Sequence, residues 1–205
     1  MKVVLLTLPQ APKIILLEKL RDIFFGRKVD KRLHVTVRGP FATYPDHESL
    51  ASVRSSVDEN RVLISGVGSF ANEKISVVYL RVQGAWLRQI WLKPDFPVSK
   101  FGFNPHITMY EGSDHERAKK VLKFLRLNSV ELIVEDFGLA ITTLRQKTLF
   151  DEAEIPDSKS PVMGQLSSLT LDRARQAFDS GLRGDRFRLE PMPNAQDSLA
   201  IDFAG

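Results

Sequence analysis

Two short segments of the chain alternate apolar and polar residues as a half-buried β-strand does. The first spans residues 33–38 and the second spans residues 104–110. Because side chains on a strand alternate between its two faces, each segment presents one apolar face and one polar face. The polar faces share a His-x-Thr sequence, with His34 and Thr36 in the first segment and His106 and Thr108 in the second. The pattern predicts two strands that each offer an imidazole and a hydroxyl on one face.

Helix signals lie between and beyond these strands. A Pro near the start and Gly26 just past the end predict a helix over residues 12–25. Asp46 is a candidate N-cap for a helix reaching residue 58, and Ser113-x-x-Glu116 is a capping-box pattern that starts a helix ending near Leu127. A short helix is also predicted at residues 84–92.

Further strand patterns complete two similar halves. They occupy the N-terminal residues 1–8 and residues 61–70, 74–82, 130–137 and 138–145. Gly66 and Gly68 predict a bulge or a close backbone approach. One His-x-Thr strand falls in each half, so the order of elements predicts an α+β fold of duplicated, two-lobed design. In this fold two antiparallel sheets surround a central cleft and the helices lie outside.

Composition bounds the domain organisation. A chain of 205 residues with 43% hydrophobic content can bury one sizeable core, in one or two lobes. The two-lobed domain is predicted to cover residues 1–150. Residues 151–205 open on a polar, Pro-containing stretch and are predicted to be a C-terminal extension of unknown role. Within it, residues 166–178 have a helix pattern, and residues 187–190 and 198–203 are weak strand candidates.

Cysteine usage and the N-terminus bear on the cellular setting. The absence of cysteine excludes a disulfide framework and a thiol nucleophile. The apolar N-terminal run stops at Pro9 and is too short for a signal sequence, and no stretch approaches the length of a membrane span. We therefore expect no membrane association and a cytoplasmic location. The oligomeric state stays open, with a monomer favoured.

Charge is distributed unevenly along the chain. Residues 1–150 contain 23 Lys and Arg against 15 Asp and Glu, a net +8, whereas residues 151–205 contain 6 against 10, a net −4. Five basic residues surround the first motif, namely Arg27, Lys28, Lys31, Arg32 and Arg38. A basic body attracts phosphorylated ligands, although each of these residues fits an ordinary solvated surface equally well.

The two motifs give the chain a resemblance to a known family. Residues 32–41 (RLHVTVRGPF) and residues 104–109 (NPHITM) resemble the two His-x-Thr/Ser motifs of the 2H phosphoesterase superfamily. That superfamily includes the RNA 2′,3′-cyclic phosphodiesterases once named 2′-5′ RNA ligases. The resemblance covers about residues 1–147. It implies an enzyme that opens a 2′,3′-cyclic phosphate on RNA or a nucleotide to a 2′-phosphate.

Phosphodiester chemistry explains independently why such a site uses two imidazoles and two hydroxyls. One proton must leave the attacking oxygen and one must reach the leaving oxygen, and imidazoles do both near neutral pH. His34 and His106 are therefore the predicted catalytic pair, without an assignment of which is base and which is acid. Thr36 and Thr108 are predicted to bind the non-bridging phosphoryl oxygens. No cofactor and no metal is predicted, since the other polar residues on these faces are poor zinc ligands.

Four residues near the motifs are candidate substrate contacts. Arg38 and Tyr110 follow the two threonines at strand spacing and are predicted on the same faces, where Arg38 would bind a phosphate and Tyr110 a base or a phosphate. Phe41 and Phe103 flank the motifs and are candidates for base stacking. Each has a structural alternative: a solvated arginine at Arg38, and a packed ring at the three aromatic positions.

The remaining aromatic and histidine residues are assigned to structure. Trp86 and Trp91, at helical spacing, are predicted to lie in the core or an interface, and His47 and His115 to lie beside helix N-caps.

Two alternative functions stay open besides a metal-independent phosphodiesterase, which would act on RNA ends, nucleotides or cyclic oligonucleotides. One is an RNA 2′-5′ ligase, and the other is a non-catalytic RNA-binding module.

Overall fold

Strands and helices alternate through a computed structural model that describes residues 2–41, 43–57, 60–91, 103–143 and 168–180. Within these ranges the elements are, in chain order, β1 (Lys2–Thr7), α1 (Pro12–Phe25), β2 (His34–Phe41), α2 (His47–Val57), β3 (Val62–Ala71), β4 (Ser76–Gln83), α3 (Ala85–Trp91), β5 (His106–Gly112), α4 (His115–Leu127), β6 (Glu131–Val134), β7 (Gly138–Thr143) and α5 (Ser168–Asp179). Each predicted helix and strand inside the described ranges is present, with its ends displaced by a few residues at most. The strand candidates at 187–190 and 198–203 lie outside the described residues.

The strands form two antiparallel sheets. The first sheet has the order β2-β1-β7, and the second has the order β5-β4-β3-β6. The predicted α+β class with two antiparallel sheets is therefore confirmed. Side chains of the central strand β1 alternate between the two faces of its sheet. Val4 and Leu6 belong to the core, whereas Leu5 and Thr7 lie on the other face, where they pair with Thr36 and His34 of β2.

The two sheets meet at the strands that carry the His-x-Thr motifs. Strand β2 of the first sheet contacts β5 of the second sheet, and α1 also contacts β5. The sequence separates the two histidines by 72 positions. The packing of the sheets makes their strands neighbours.

Helix α1 has the ends that the sequence predicts. Pro12 occupies its first turn, where a missing backbone N–H costs nothing, and Gly26 follows its end with a positive φ of 70°. The last carbonyls of α1 are also capped from α4, because the Arg117 side chain donates to the carbonyls of Ile23 and Phe24. Arg117 thus ties the end of α1 to the start of α4.

The two glycines of β3 behave as the sequence predicts. Gly66 has a φ of 81° and lies where the pairing of β3 with β4 shifts register, as a bulge requires. At Gly68 an added Cβ atom would clash with the ring of Tyr79, so only glycine leaves room for that ring beside β3.

The N-cap of α4 differs from the prediction by one residue. The Asp114 carboxylate accepts a hydrogen bond from the backbone N–H of Arg117 at 2.8 Å, so Asp114 rather than Ser113 is the cap. Glu116 pairs with Lys119 at 2.7 Å instead of reaching back to the cap. Asp is as good a cap as Ser, and the helix starts one residue later than the capping box indicated.

The C-terminal extension contributes a helix to the body. Helix α5 packs against α1 and α4, and the ring of Phe178 lies 5.3 Å from the ring of Phe24 and 6.2 Å from that of Phe124. The predicted helix of the extension is confirmed, and it covers an aromatic cluster of the main body. The boundary at residue 150 stays a prediction.

Trp86 is in the core, as predicted, with its indole N–H donating to the carbonyl of Arg61 at 2.9 Å. The side chain of Trp91 lies outside the described residues. No helix in the described part of the chain is long and apolar enough to span a bilayer.

Candidate functional site

The two histidines of the motifs are held in the same way. His34 Nδ1 lies 2.9 Å from the carbonyl oxygen of Arg32, and His106 Nδ1 lies 2.7 Å from the carbonyl oxygen of Asn104. In both cases the carbonyl belongs to the residue two positions earlier. A carbonyl only accepts hydrogen bonds, so each Nδ1 carries the hydrogen. Nε2 is then the nitrogen through which each imidazole exchanges a proton.

Helix α1 fixes the segment that leads into His34. Glu18 accepts a hydrogen bond from the backbone N–H of Leu33 at 3.1 Å, and Asp22 accepts one from that of Val29 at 2.9 Å. Arg32 donates to the carbonyl of Leu8 at the end of β1. These bonds hold the carbonyl of Arg32, and through it the ring of His34.

An aromatic and amide group surrounds His106 on the second sheet. The ring of Tyr79 lies 4.8 Å from the imidazole of His106, and the Asn104 side-chain amide donates to the Tyr79 hydroxyl at 3.1 Å. Asn104 therefore positions both rings, one through its backbone and one through its side chain. Phe70, which is 52% exposed, lies 6.3 Å from His106 in an edge contact and borders the same face.

Burial and neighbouring cations set the protonation of the pair. Desolvation lowers the pKa of His34 and of His106, while the hydrogen bonds to the carbonyls oppose that change. The pKa of His34 is lowered further by the positive charges of Lys31, Arg21 and His106.

Both threonines lie next to their histidines on half-buried strand faces. Thr36 pairs with Leu5 of β1, two residues beyond the pairing of His34 with Thr7. Thr108 pairs with Tyr79 of β4, beside the pairing of His106 with Arg81. Both threonines are half-buried. The structure thus brings an imidazole and a hydroxyl to one face of each strand, as the alternation predicts.

Tyr110 is not on the face of His106, and that prediction is wrong. A register shift between Val78 and Tyr79 of β4 makes Tyr110 pair with Val78, which belongs to the core. Tyr110 is 4% exposed and packs against Phe25 of α1 at 5.4 Å. Its hydroxyl donates to the carbonyl of Asp114 at 3.3 Å. A bulge reverses the faces of the residues beyond it, which strict alternation does not anticipate.

A second irregularity changes the position of Arg38. The register of β1 and β2 shifts between Val4 and Leu5, so Arg38 pairs with Val4 of the core rather than continuing the row of Thr36. Its Nε is buried and has no hydrogen-bond partner among the described residues. The predicted shared face of Thr36 and Arg38 is therefore not what the strand pairing provides, and a phosphate contact at Arg38 stays a prediction.

The two flanking phenylalanines have different outcomes. The side chain of Phe41 lies outside the described residues, although its backbone ends β2. Phe103 is half-buried, and the guanidinium of Arg88 lies 5.9 Å from the centre of its ring. It lines a cavity of about 430 Å³ next to His106, together with Arg81, Val82, Gln83, Gly84, Ala85, Arg88, Asn104 and Pro105. Base stacking by either ring stays a prediction.

Several residues of the site carry no local sequence pattern that identifies them. Tyr79, Arg81 and Phe70 reach His106 only because β3, β4 and β5 pair side by side. Gly68 was the one available indication, since a glycine inside a strand suggests that a large side chain lies across it. The sequence places Asn104 in the second motif, but no local pattern indicates its contact with Tyr79.

The other two histidines lie where the sequence assigns them. His47 is exposed at the start of α2, and His115 starts α4 with its Nδ1 2.6 Å from the Ser76 hydroxyl. Among the described residues no three His, Asp or Glu side chains form a group that could hold a metal ion.

Searches against models of protein families and against curated proteins give no match to this chain. The resemblance to the 2H phosphoesterase superfamily therefore rests on the two motifs alone and stays a prediction.

Proposed function

We propose that this protein is a phosphodiesterase that opens 2′,3′-cyclic phosphates at RNA ends or on nucleotides. His34 and His106 act as a general acid and base pair, and Thr36 and Thr108 bind the phosphoryl oxygens. No metal ion takes part in this proposal. With this activity we also propose a duplicated, two-lobed fold like that of the 2H phosphoesterases, whose motifs the chain resembles.

One observation carries the proposal. Two imidazoles from contacting strands are held by the same bond, from Nδ1 to the carbonyl two residues earlier, so both use Nε2 for proton transfer. A histidine that serves only packing has no need of a second histidine in the same setting. A general acid and a general base on either side of one phosphorus atom need this matched pair.

The reaction needs two proton transfers. One imidazole takes a proton from a water molecule as its oxygen attacks the phosphorus atom. The bond from phosphorus to the 3′ oxygen breaks, and the second imidazole, which starts protonated, gives its proton to that oxygen. The product is a 2′-phosphate and a 3′-hydroxyl. The hydroxyls of Thr36 and Thr108 donate to the non-bridging oxygens and stabilise the charge that develops there.

Burial lowers the pKa of both histidines, and the positive charges of Lys31 and Arg21 lower that of His34 further. These cations disfavour a proton on His34. Under the proposal His34 activates the water and His106 protonates the leaving oxygen.

The test is turnover of 2′,3′-cyclic mononucleotides by the full chain in the presence of EDTA. We expect opening to the 2′-phosphate at an undiminished rate, because neither proton transfer requires a metal. Loss of all activity in EDTA, with recovery on adding a divalent cation, contradicts the metal-independent mechanism. Joining of a cyclic-ended oligonucleotide to a 5′-hydroxyl partner supports a ligase instead, and salt-sensitive binding without turnover supports an RNA-binding module.

The pH profile of kcat/KM is a further expected result. Activity falls at low pH as the base becomes protonated and at high pH as the acid loses its proton. Because the pKa values of both histidines lie below the ordinary value of about 6.5, both limbs and the optimum of kcat/KM are expected below that pH. Bound phosphate favours the imidazolium form, so the optimum of kcat lies higher. An optimum of kcat/KM above about pH 8, toward the range of tyrosine, contradicts the histidine pair.

A further inference from the structure

Among the described residues, the charged side chains that line the cavity beside His106 are both cationic. They belong to Arg81 and Arg88, and Gln83 and Asn104 add two amide side chains. No carboxylate is found among these described lining residues. Arginine binds phosphate with two parallel N–H donors, and amides add further donors. The chemistry of the lining therefore suits a phosphate group.

The cavity is continuous with the surroundings of His106. Asn104 lines the cavity while its carbonyl holds the ring of His106, and Arg81 pairs directly with His106 across β4 and β5. The Arg81 side chain crosses β3 at Gly66, where a Cβ atom would lie 3.8 Å from its Cδ. Asn104 and Pro105, which line the cavity, are the two residues that precede His106 in the chain. The cavity therefore adjoins the proposed reaction site.

Arg88 lines the same cavity from helix α3. Its guanidinium lies over the ring of Phe103, 5.9 Å from the ring centre. A cation above an aromatic face loses conformational freedom before any ligand arrives, so less is lost on binding. Arg88 is exposed and so can meet a ligand without breaking a buried contact.

We propose that this cavity is a second phosphate subsite, which binds the internucleotide phosphate next to the cyclic phosphate at His34 and His106. The preferred substrate is then an oligonucleotide end rather than a mononucleotide. This inference rests on the proposed function for the identity of the neighbouring site. The cavity itself is assigned from its own residues.

The experiment compares two substrates and two variants. The substrates are a 2′,3′-cyclic mononucleotide and a dinucleotide that ends in the same cyclic phosphate. We expect Arg88→Gln to raise the KM of the dinucleotide about tenfold more than the KM of the mononucleotide, as expected for loss of one charged contact. Arg126→Gln, which removes an exposed arginine of α4, is the matched control and is expected to change neither KM. Equal effects of Arg88→Gln on both substrates overturn the subsite.

A neutral linkage separates phosphate binding from base stacking. A dinucleotide with a methylphosphonate in place of the internucleotide phosphate keeps both bases but lacks the charge. Its KM is expected to equal that of the mononucleotide and to be insensitive to Arg88→Gln. A KM as low as that of the normal dinucleotide would mean that the second base is bound, on Phe103 or elsewhere, and would overturn the proposal.

Calorimetry keeps this test independent of turnover. The probe is a dinucleotide whose 3′-terminal nucleotide carries a 2′-phosphate. It is titrated into wild type and into Arg88→Gln. If wild type opens neither cyclic substrate, the proposed function fails, but weaker binding of this probe to Arg88→Gln still supports the phosphate subsite. Equal affinity of the two proteins, or no binding to wild type, overturns the subsite even if the mononucleotide is opened.

Discussion

Replacing His34 or His106 with Ala is expected to lower kcat for cyclic phosphate opening by about 10²- to 10⁴-fold, the usual contribution of a general acid or base. Each change removes one of the two imidazoles held through Nδ1 to a backbone carbonyl, and no other histidine lies on these strands. The KM should change much less, because the two threonines still bind the phosphoryl oxygens. Steady-state kinetics with a 2′,3′-cyclic mononucleotide measures both quantities.

The double variant sharpens this prediction. Residues that act together in one step are not additive, so His34→Ala with His106→Ala should lose little more activity than the worse single variant. A double loss equal to the product of the two single losses would mean that the histidines act in separate steps.

His47→Ala is the matched control. His47 is an exposed histidine at the start of α2, and its replacement should leave kcat, KM and stability unchanged. Thermal unfolding of wild type and of the four variants shows whether a loss of activity comes from a loss of folding. If His34→Ala and His106→Ala remain folded and keep activity near that of His47→Ala, the proposed chemistry is wrong.

The elements of the fold were accessible from the sequence because their signals are local. Pro12 and Gly26 mark the two ends of α1, and the observed helix begins and ends beside them. The alternation of residues 33–38 likewise identified β2 and the buried row of Leu33, Val35 and Val37. In these cases the apolar period and the terminal residues indicate the same structure, and tertiary packing does not override them.

Only part of the site could be predicted from the sequence, and the reason is physical. Alternation places His and Thr together on a strand, but a bulge beyond them moves the next residue out of the row, which is what happens at Tyr110 and Arg38. Which strands pair is decided by contacts distant in sequence. Tyr79 and Phe70 therefore reached the site without a local pattern, and the contact of β2 with β5 was an expectation of the duplicated design.

The largest expected effect on stability is that of Phe24→Ala. The Phe24 ring is fully buried in α1 and lies 5.4 Å from the ring of Phe124 and 5.3 Å from that of Phe178. Its removal leaves a cavity where α1, α4 and α5 meet, and such changes cost about 3–5 kcal/mol of unfolding free energy. Two aromatic contacts, an edge contact with Phe124 and a tilted contact with Phe178, are lost as well, each worth about 0.5–1.5 kcal/mol beyond area burial. Urea unfolding, followed by far-UV circular dichroism, measures the change.

Phe70→Ala is the control, because it removes a ring of the same size from a position that is not buried. Phe70 is half exposed on β3, so its loss should cost below about 1 kcal/mol. Phe178→Ala removes the contact of the extension from the same cluster and should destabilise the protein less than Phe24→Ala does, because Phe24 and Phe124 can still pack. An equal, small effect of Phe24→Ala and Phe70→Ala would show that α1 and α4 do not share a packed aromatic core. A Phe178→Ala effect near zero would show that α5 does not stabilise that core.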